Sequence, residues 1–157
     1  MSATLNVTPS FFEEEVRRAI LAGLATLPNW KHTRHIFDGT QTQGAAIGDG
    51  YFYDIRLGTT TPLSSDRTGA ERVETAYMIR FRMRRPPLAS AENELKYSED
   101  RHRIPQHLRR GGPWLPGGIE VVWKQTGEPV ERVKAFVDTD ISIACRYWAR
   151  VASAGGA

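Results

Sequence analysis

The stretch between Val130 and Val151 limits this chain's folds more than any other. In steps of two from Val133 it reads Val133, Ala135, Val137, Thr139, Ile141, Ile143, Cys145 and Tyr147, with Arg132, Lys134, Asp138, Asp140, Ser142, Arg146 and Arg150 falling between. A period of two, with one apolar and one polar set, describes a β-strand buried on one face and wet on the other. The run is far longer than a usual strand of about 5–6 residues. A strand of that length needs neighbours to pair its backbone and something to cover its apolar face.

Neighbours are present upstream. Tyr51, Tyr53, Ile55 and Leu57 alternate with Phe52, Asp54 and Arg56, and Val73, Thr75, Tyr77, Ile79, Phe81 and Met83 oppose Glu74, Arg80, Arg82 and Arg84 until Pro86-Pro87 ends the run. The segment between them, 58–72, is rich in Thr, Ser, Pro and Gly, which suits the exposed tip of a long hairpin. Ile119, Val121 and Trp123 predict a further strand, joined to the terminal one by a turn over Gln125–Pro129. Gly44, Gly48 and Gly50 lack the spacing and lysine of a phosphate loop and are expected to allow a turn or bulge before Tyr51.

The cover for this sheet is expected from the N-terminal side. Ser10 and Glu13 match a capping box, and Phe12, Val16, Ile20 and Leu24 recur every four residues to Pro28, so an amphipathic helix is predicted there. Charged pairs Glu13 with Arg17 and Glu14 with Arg18 sit on its solvent side. Ile36-Phe37 suggests a short strand before the Asp38-Gly39 turn. His32 and His35 have no carboxylate or cysteine to complete a metal set. Over Leu88–Arg110 helix-forming residues with few apolar anchors predict a short helix, then a basic loop around Arg101, His102, Arg103, His107, Arg109 and Arg110. The Gly- and Pro-rich stretch 111–118 is expected to be an exposed loop, with Trp114 either closing the core or meeting a partner.

These elements give one α+β domain over residues 1–157, with 1–9 and 152–157 as flexible termini. The expected architecture is a mainly antiparallel sheet of at least four strands with a long hairpin, packed by the N-terminal helix and a second short one. The 157 residues, 40% hydrophobic and 25% charged, are enough for one core. No apolar run approaches a membrane span, and nothing in the pattern points to secretion. The single cysteine, Cys145, falls on the buried face and reads as a small core residue. A net charge of +3 permits an acidic partner but is too mild to imply nucleic acid.

No nucleophile, zinc or cofactor motif is present, so the chain reads as a non-enzyme without cofactor or metal. Asp138 and Asp140 share a face with Lys134 and Arg146, which offer ordinary ionic partners to both carboxylates. The most prominent polar feature is the Arg80, Arg82 and Arg84 row. It suits either phosphate contacts or forks to carboxylates such as Asp138 and Asp140 across a subunit interface. The aromatics alternate onto the opposite face, which favours the protein interface. Arg80, Arg82, Arg84, Trp114, Asp138 and Asp140 are therefore the candidate interface residues.

The order of elements resembles that of small neck and tail-completion proteins of tailed bacteriophages, with the tail-terminator group the nearest in size and order. The likeness spans Phe11 to Val151 and is carried most by the segment from Val133 to Tyr147. It rests on no specific motif, and the basic Arg101–Arg110 region is less expected of that group. The resemblance implies a homo-oligomer, such as a hexameric ring, whose partners are tail-tube and neck or connector proteins. Its place would be the virion tail or neck, after assembly in the bacterial cytoplasm. A basic-surface protein associated with nucleic acid or with packaging is the alternative.

Overall fold

A computed structural model of the chain describes residues 9–27, 30–32, 51–65, 69–84, 91–132 and 136–150. In order these form α1 (Glu13–Ala25), β1 (Trp30–His32), β2 (Tyr51–Ser65), β3 (Glu71–Arg84), α2 (Ala91–Arg110), β4 (Glu120–Thr126), β5 (Val130–Arg132) and β6 (Phe136–Trp148). The class is α+β, with an open, mixed and mostly antiparallel sheet ordered β1-β2-β3-β6-β4 and with β5 also on β6. Among the described strands β1 and β2 run parallel and the other pairs are antiparallel.

The long terminal alternation is divided between two strands. β5 takes Val130–Arg132 and lies beside the start of β6, while β4 pairs with the stretch of β6 from Ile141 to Arg146. β3 runs along the other side of β6 from Arg72↔Trp148 to Arg84↔Phe136. The terminal strand is therefore interior, with both of its edges occupied.

One face of the sheet carries the core. Tyr53 and Ile55 of β2, Val73, Tyr77, Ile79 and Phe81 of β3, Val121 of β4, and Ile141, Ile143, Cys145 and Tyr147 of β6 form one cluster with Val16, Ile20 and Leu24 of α1 and Ile104 and Leu108 of α2. These strand residues follow the predicted alternation, and both helices contribute to the same side. Buried Cys145 is a free thiol within this cluster. The opposite face departs from the expected wet surface, because Asp138 and Ala144 are buried there too.

Several boundaries differ from the sequence expectation. Helix α1 starts after Phe12, not at Ser10: the Phe12 N–H donates to Glu15 Oε1 at 3.2 Å, while Ser10 makes no cap and instead offers its carbonyl to Arg150. The cause is a tertiary contact. Phe11 bridges to Ala149 in parallel, its N–H donating to the Trp148 carbonyl at 2.9 Å, and its buried ring meets Tyr147 edge-on, which holds the entry segment extended. Phe12 is consequently exposed and not part of the buried stripe.

The 58–72 segment is not a loop over most of its length, since β2 continues to Ser65 and β3 begins at Glu71. Register shifts between Leu57 and Thr60 and between Pro62 and Ser64 absorb Gly58 with Thr59 and then Leu63, and the residues stay largely exposed. Leu57, predicted to be buried, is exposed ahead of the first shift. The predicted basic loop is helical as well. α2 runs 20 residues through Pro105, anchored by Ile104 and Leu108 one turn apart, and ends where Gly111 adopts φ 72° and donates to the His107 carbonyl. The Ile36-Phe37 strand, the Asp38-Gly39 turn, Gly44, Gly48, Gly50, Pro28 and both termini lie outside the described residues.

Candidate functional site

The antiparallel register brings Arg80 opposite Asp140 and Arg82 opposite Asp138. Because Arg-x-Arg on β3 and Asp-x-Asp on β6 share the period of two, both pairs project from the same face as neighbouring rungs. Each guanidinium makes a two-pronged contact. Arg80 Nε and Nη2 donate to Asp140 Oδ1 and Oδ2 at 2.7 and 3.0 Å, and Arg82 donates likewise to Asp138 at 2.7 and 2.9 Å. Such bidentate geometry is among the strong forms of ionic hydrogen bonding. The bond to Asp140 pushes Arg80 above its ordinary pKa.

The rungs differ in depth. The Arg82 and Asp138 side chains are 8% and 2% exposed, whereas Arg80 and Asp140 are 17% and 33% exposed. A third group extends the charged face toward the other end of the sheet: Glu74 accepts from Arg146 Nε at 2.7 Å and meets Lys124 Nζ at 3.3 Å. Arg146 holds the Glu74 carboxyl below the usual carboxylate range, and Glu74 in return raises Arg146. Arg72 reaches Glu120 at 3.4 Å. The sequence reading paired the Arg row with carboxylates across a subunit interface; Arg80 and Arg82 instead find Asp140 and Asp138 within the chain. The side chain of Arg84 is outside the described residues.

Trp114 is half-buried against the core, away from the arginine ladder. A methyl group placed on Gly23 would come within 2.7 Å of the Trp114 ring, so the glycine makes room for the indole against α1. His107 completes the contact, its ring centroid 5.8 Å from that of Trp114. Thr26 donates its hydroxyl to the Gly23 carbonyl at 2.6 Å, which leaves the Thr26 oxygen to accept from His107 Nε2 at 2.8 Å. Trp114 thus closes the junction between α1 and α2.

Among the described residues the interior thiol and hydroxyls are committed to packing and hydrogen bonds. Burial pushes the Cys145 thiol up to about 12, so it is a poor nucleophile at neutral pH. Tyr77, also raised by burial, donates to the Glu13 carbonyl at 2.9 Å. A chain of hydroxyls from Tyr147 through Thr75 and Thr60 ends on the Glu13 carboxylate and ties α1 to the sheet. The void between α2 and the sheet, lined by Trp30, Phe81, Ile104 and Ile141 among others, has about 10 Å³ for a guest, the room of one water. Among the described residues no three His, Cys, Asp or Glu side chains converge as a metal set, and no helix is long and apolar enough to cross a membrane.

Sequence reasoning placed the prominent cations on β3, but the structure leaves a different group open. His102, Arg103, Gln106, Arg109 and Arg110 of α2 are all exposed, and among the described residues no carboxylate lies within ion-pair distance of these three arginines. Helical spacing puts the five within an arc of about 120°, opposite Ile104 and Leu108. The signal was present in the sequence as a basic run without acids after Asp100, and it was masked by reading that run as loop. In comparisons with known proteins, no family model matches the chain and no curated protein sequence matches it.

Proposed function

We propose that this chain is a structural assembly protein of a phage tail or neck, whose copies join side by side into a ring that terminates the tail tube and meets the head connector. The observation that carries this reading is the open sheet with two unlike lateral edges. On one side β2 is paired by β1 only over Tyr51–Tyr53, and on the other β4 has β6 as its strand neighbour; among the described residues nothing pairs their outer sides. Unlike edges on opposite sides of a sheet suit a head-to-tail contact, and such a contact closes into a ring when its rotation divides the circle.

The contact cannot use the terminal strand, whose two edges are filled within the protomer. The outer half of β2 supports the reading instead. It is exposed and bears Leu57 and Leu63, while Pro62 and two register shifts shorten its pairable length. Blunting of this kind restrains open-ended strand addition without removing a short, specific contact. Size and element order support the phage setting, with tail-tube and connector proteins as partners.

The test is absolute mass in solution, by size-exclusion chromatography with light scattering over a range of protein and salt concentrations. A discrete ring-sized oligomer, hexameric in the expected case, that dissociates on Leu63→Lys supports the reading. A monomer under every condition overturns spontaneous ring formation. The competing reading, nucleic-acid binding through the β3 arginine row, loses support because Arg80 and Arg82 are forked to carboxylates of their own chain.

A further inference from the structure

We propose that the exposed face of α2 formed by His102, Arg103, Gln106, Arg109 and Arg110 is a docking stripe for the phosphate backbone of a nucleic acid, independent of the ring reading. Three properties separate this stripe from a solvated helix face. First, its cations are unanswered. Arg17, Arg18, Arg72, Arg80, Arg82, Arg146 and Arg150 each meet a carboxylate of this chain, whereas Arg103, Arg109 and Arg110 meet none among the described residues.

Second, the helix dipole accounts for only part of the charge. Cations are favoured in the last turn, where Arg109 and Arg110 stand, but the effect dies away within that turn. Arg103 lies two turns earlier. The seven steps from Arg103 to Arg110 span about 10.5 Å of helix axis, roughly three phosphate steps along one strand of a duplex.

Third, the stripe holds no apolar anchor. Among the described side chains, the exposed large hydrophobic residues are Phe12, Leu57, Leu63, Met78 and Val130, none of them in the stripe. A protein interface draws its affinity from a desolvated apolar centre, and a membrane-lying helix needs an apolar face to insert; the five stripe residues offer neither. A polyphosphate backbone needs only correctly spaced cations, and the planar guanidinium matches phosphate oxygens in pairs. The contact would read charge and spacing, not base sequence.

The test is fluorescence anisotropy with a mixed-sequence DNA duplex of about 20 base pairs, titrated with the full chain from about 50 to 200 mM salt. Binding is expected to weaken with a log–log salt slope of roughly −2 to −3, as for two or three phosphates neutralised. Replacing Arg103, Arg109 and Arg110 together with Gln is expected to weaken binding at least tenfold at the lowest salt and to lower the slope by about one per arginine. Replacing them together with Lys should restore most of the affinity, and Arg18→Gln, on α1 with a 75% exposed side chain, should move neither quantity. Unchanged thermal melting of the Gln variant excludes misfolding as the cause. The proposal is overturned by no binding at the lowest salt, by equal binding of the Gln variant and the parent, by an equal loss in Arg18→Gln, or by tighter binding to polyglutamate of matched charge than to the duplex.

Discussion

Two groups of arginines on this molecule have similar composition and opposite circumstances. On β3, Arg80 and Arg82 alternate with core residues and each closes a fork with an aspartate of β6. On α2, Arg103, Arg109 and Arg110 stand on an exposed face and close none among the described residues. An arginine on a central strand has neighbours fixed 4.7–4.9 Å away on either side, so a partner in register is met by construction. An arginine on the outer face of a helix meets only residues about one turn away: for Arg109 and Arg110 none of these is acidic, and Arg103 makes no ion pair among the described residues with the acids at that spacing, Glu99 and Asp100. The same side chain thus specifies strand register in one region and leaves a charge for solution in the other.

The deepest rung offers the largest effect. Arg82→Leu leaves the Asp138 carboxylate, only 2% exposed, without its guanidinium. Removing one member of a buried pair is expected to cost about 3–5 kcal/mol, read by urea unfolding. Arg82→Leu combined with Asp138→Leu should recover most of that loss, because two apolar side chains can replace a buried pair at little net cost. If the single substitution costs under about 1 kcal/mol, the β3 pair is no more structural than a surface pair and the contrast between the two regions fails.

That contrast was partly legible before the fold. The period of two in Val73–Phe81 and Thr139–Tyr147 identifies the core face correctly, because each strand is covered on that side by helices. Matching Arg-x-Arg and Asp-x-Asp spacings in strands that pair antiparallel carry the register signal too, but they say nothing about whether the partner belongs to the same chain. The start of α1 was hidden for a different reason: Ser10 has good capping chemistry, and the distant bridge from Phe11 to Ala149 overrides it. For α2, Ile104 and Leu108 are buried anchors among many charges, and the helix they help to hold runs through Pro105. The extension of β2 through Thr59, Thr60 and Thr61 follows from β-branched residues that also look like loop composition.

The outer rung sharpens the comparison at lower cost. Asp140 has a third of its side chain in water, so Arg80→Leu is expected to lose about 1 kcal/mol or less in the same unfolding assay, and the loss should shrink with added salt. A loss equal to that of Arg82→Leu would mean that burial does not set the energy of these forks.

A smaller effect is expected from acid. Arg146, with Lys124, depresses the Glu74 pKa in the folded protein, so the folded state holds its proton less tightly than the unfolded chain does. The resulting stability is present above the ordinary carboxylate value and is lost as pH falls through the depressed one. Glu74→Gln removes a titrating group and should flatten this acid limb in melting temperatures recorded from neutral pH downward. A variant with the same pH dependence as the parent would show that the Glu74 contact adds no linkage.

The α2 arginines should give the smallest changes in stability, and their order tests whether they are unanswered in solution. Arg109 and Arg110 lie in the last turn of α2. Replacing either with Gln forfeits a favourable interaction with the helix dipole of about 0.3 kcal/mol at an exposed site. Arg103, two turns earlier and exposed, should change stability by less than that, within the roughly 0.5 kcal/mol range of ordinary surface substitutions. Phosphate binding predicts a different order, since a backbone contact uses Arg103 as fully as the other two. Stability and duplex affinity should therefore rank the three positions differently. If Arg103→Gln instead destabilises the protein by more than about 0.5 kcal/mol, the guanidinium has an internal partner in solution, and α2 belongs with β3 as a region whose charges are spent on the fold.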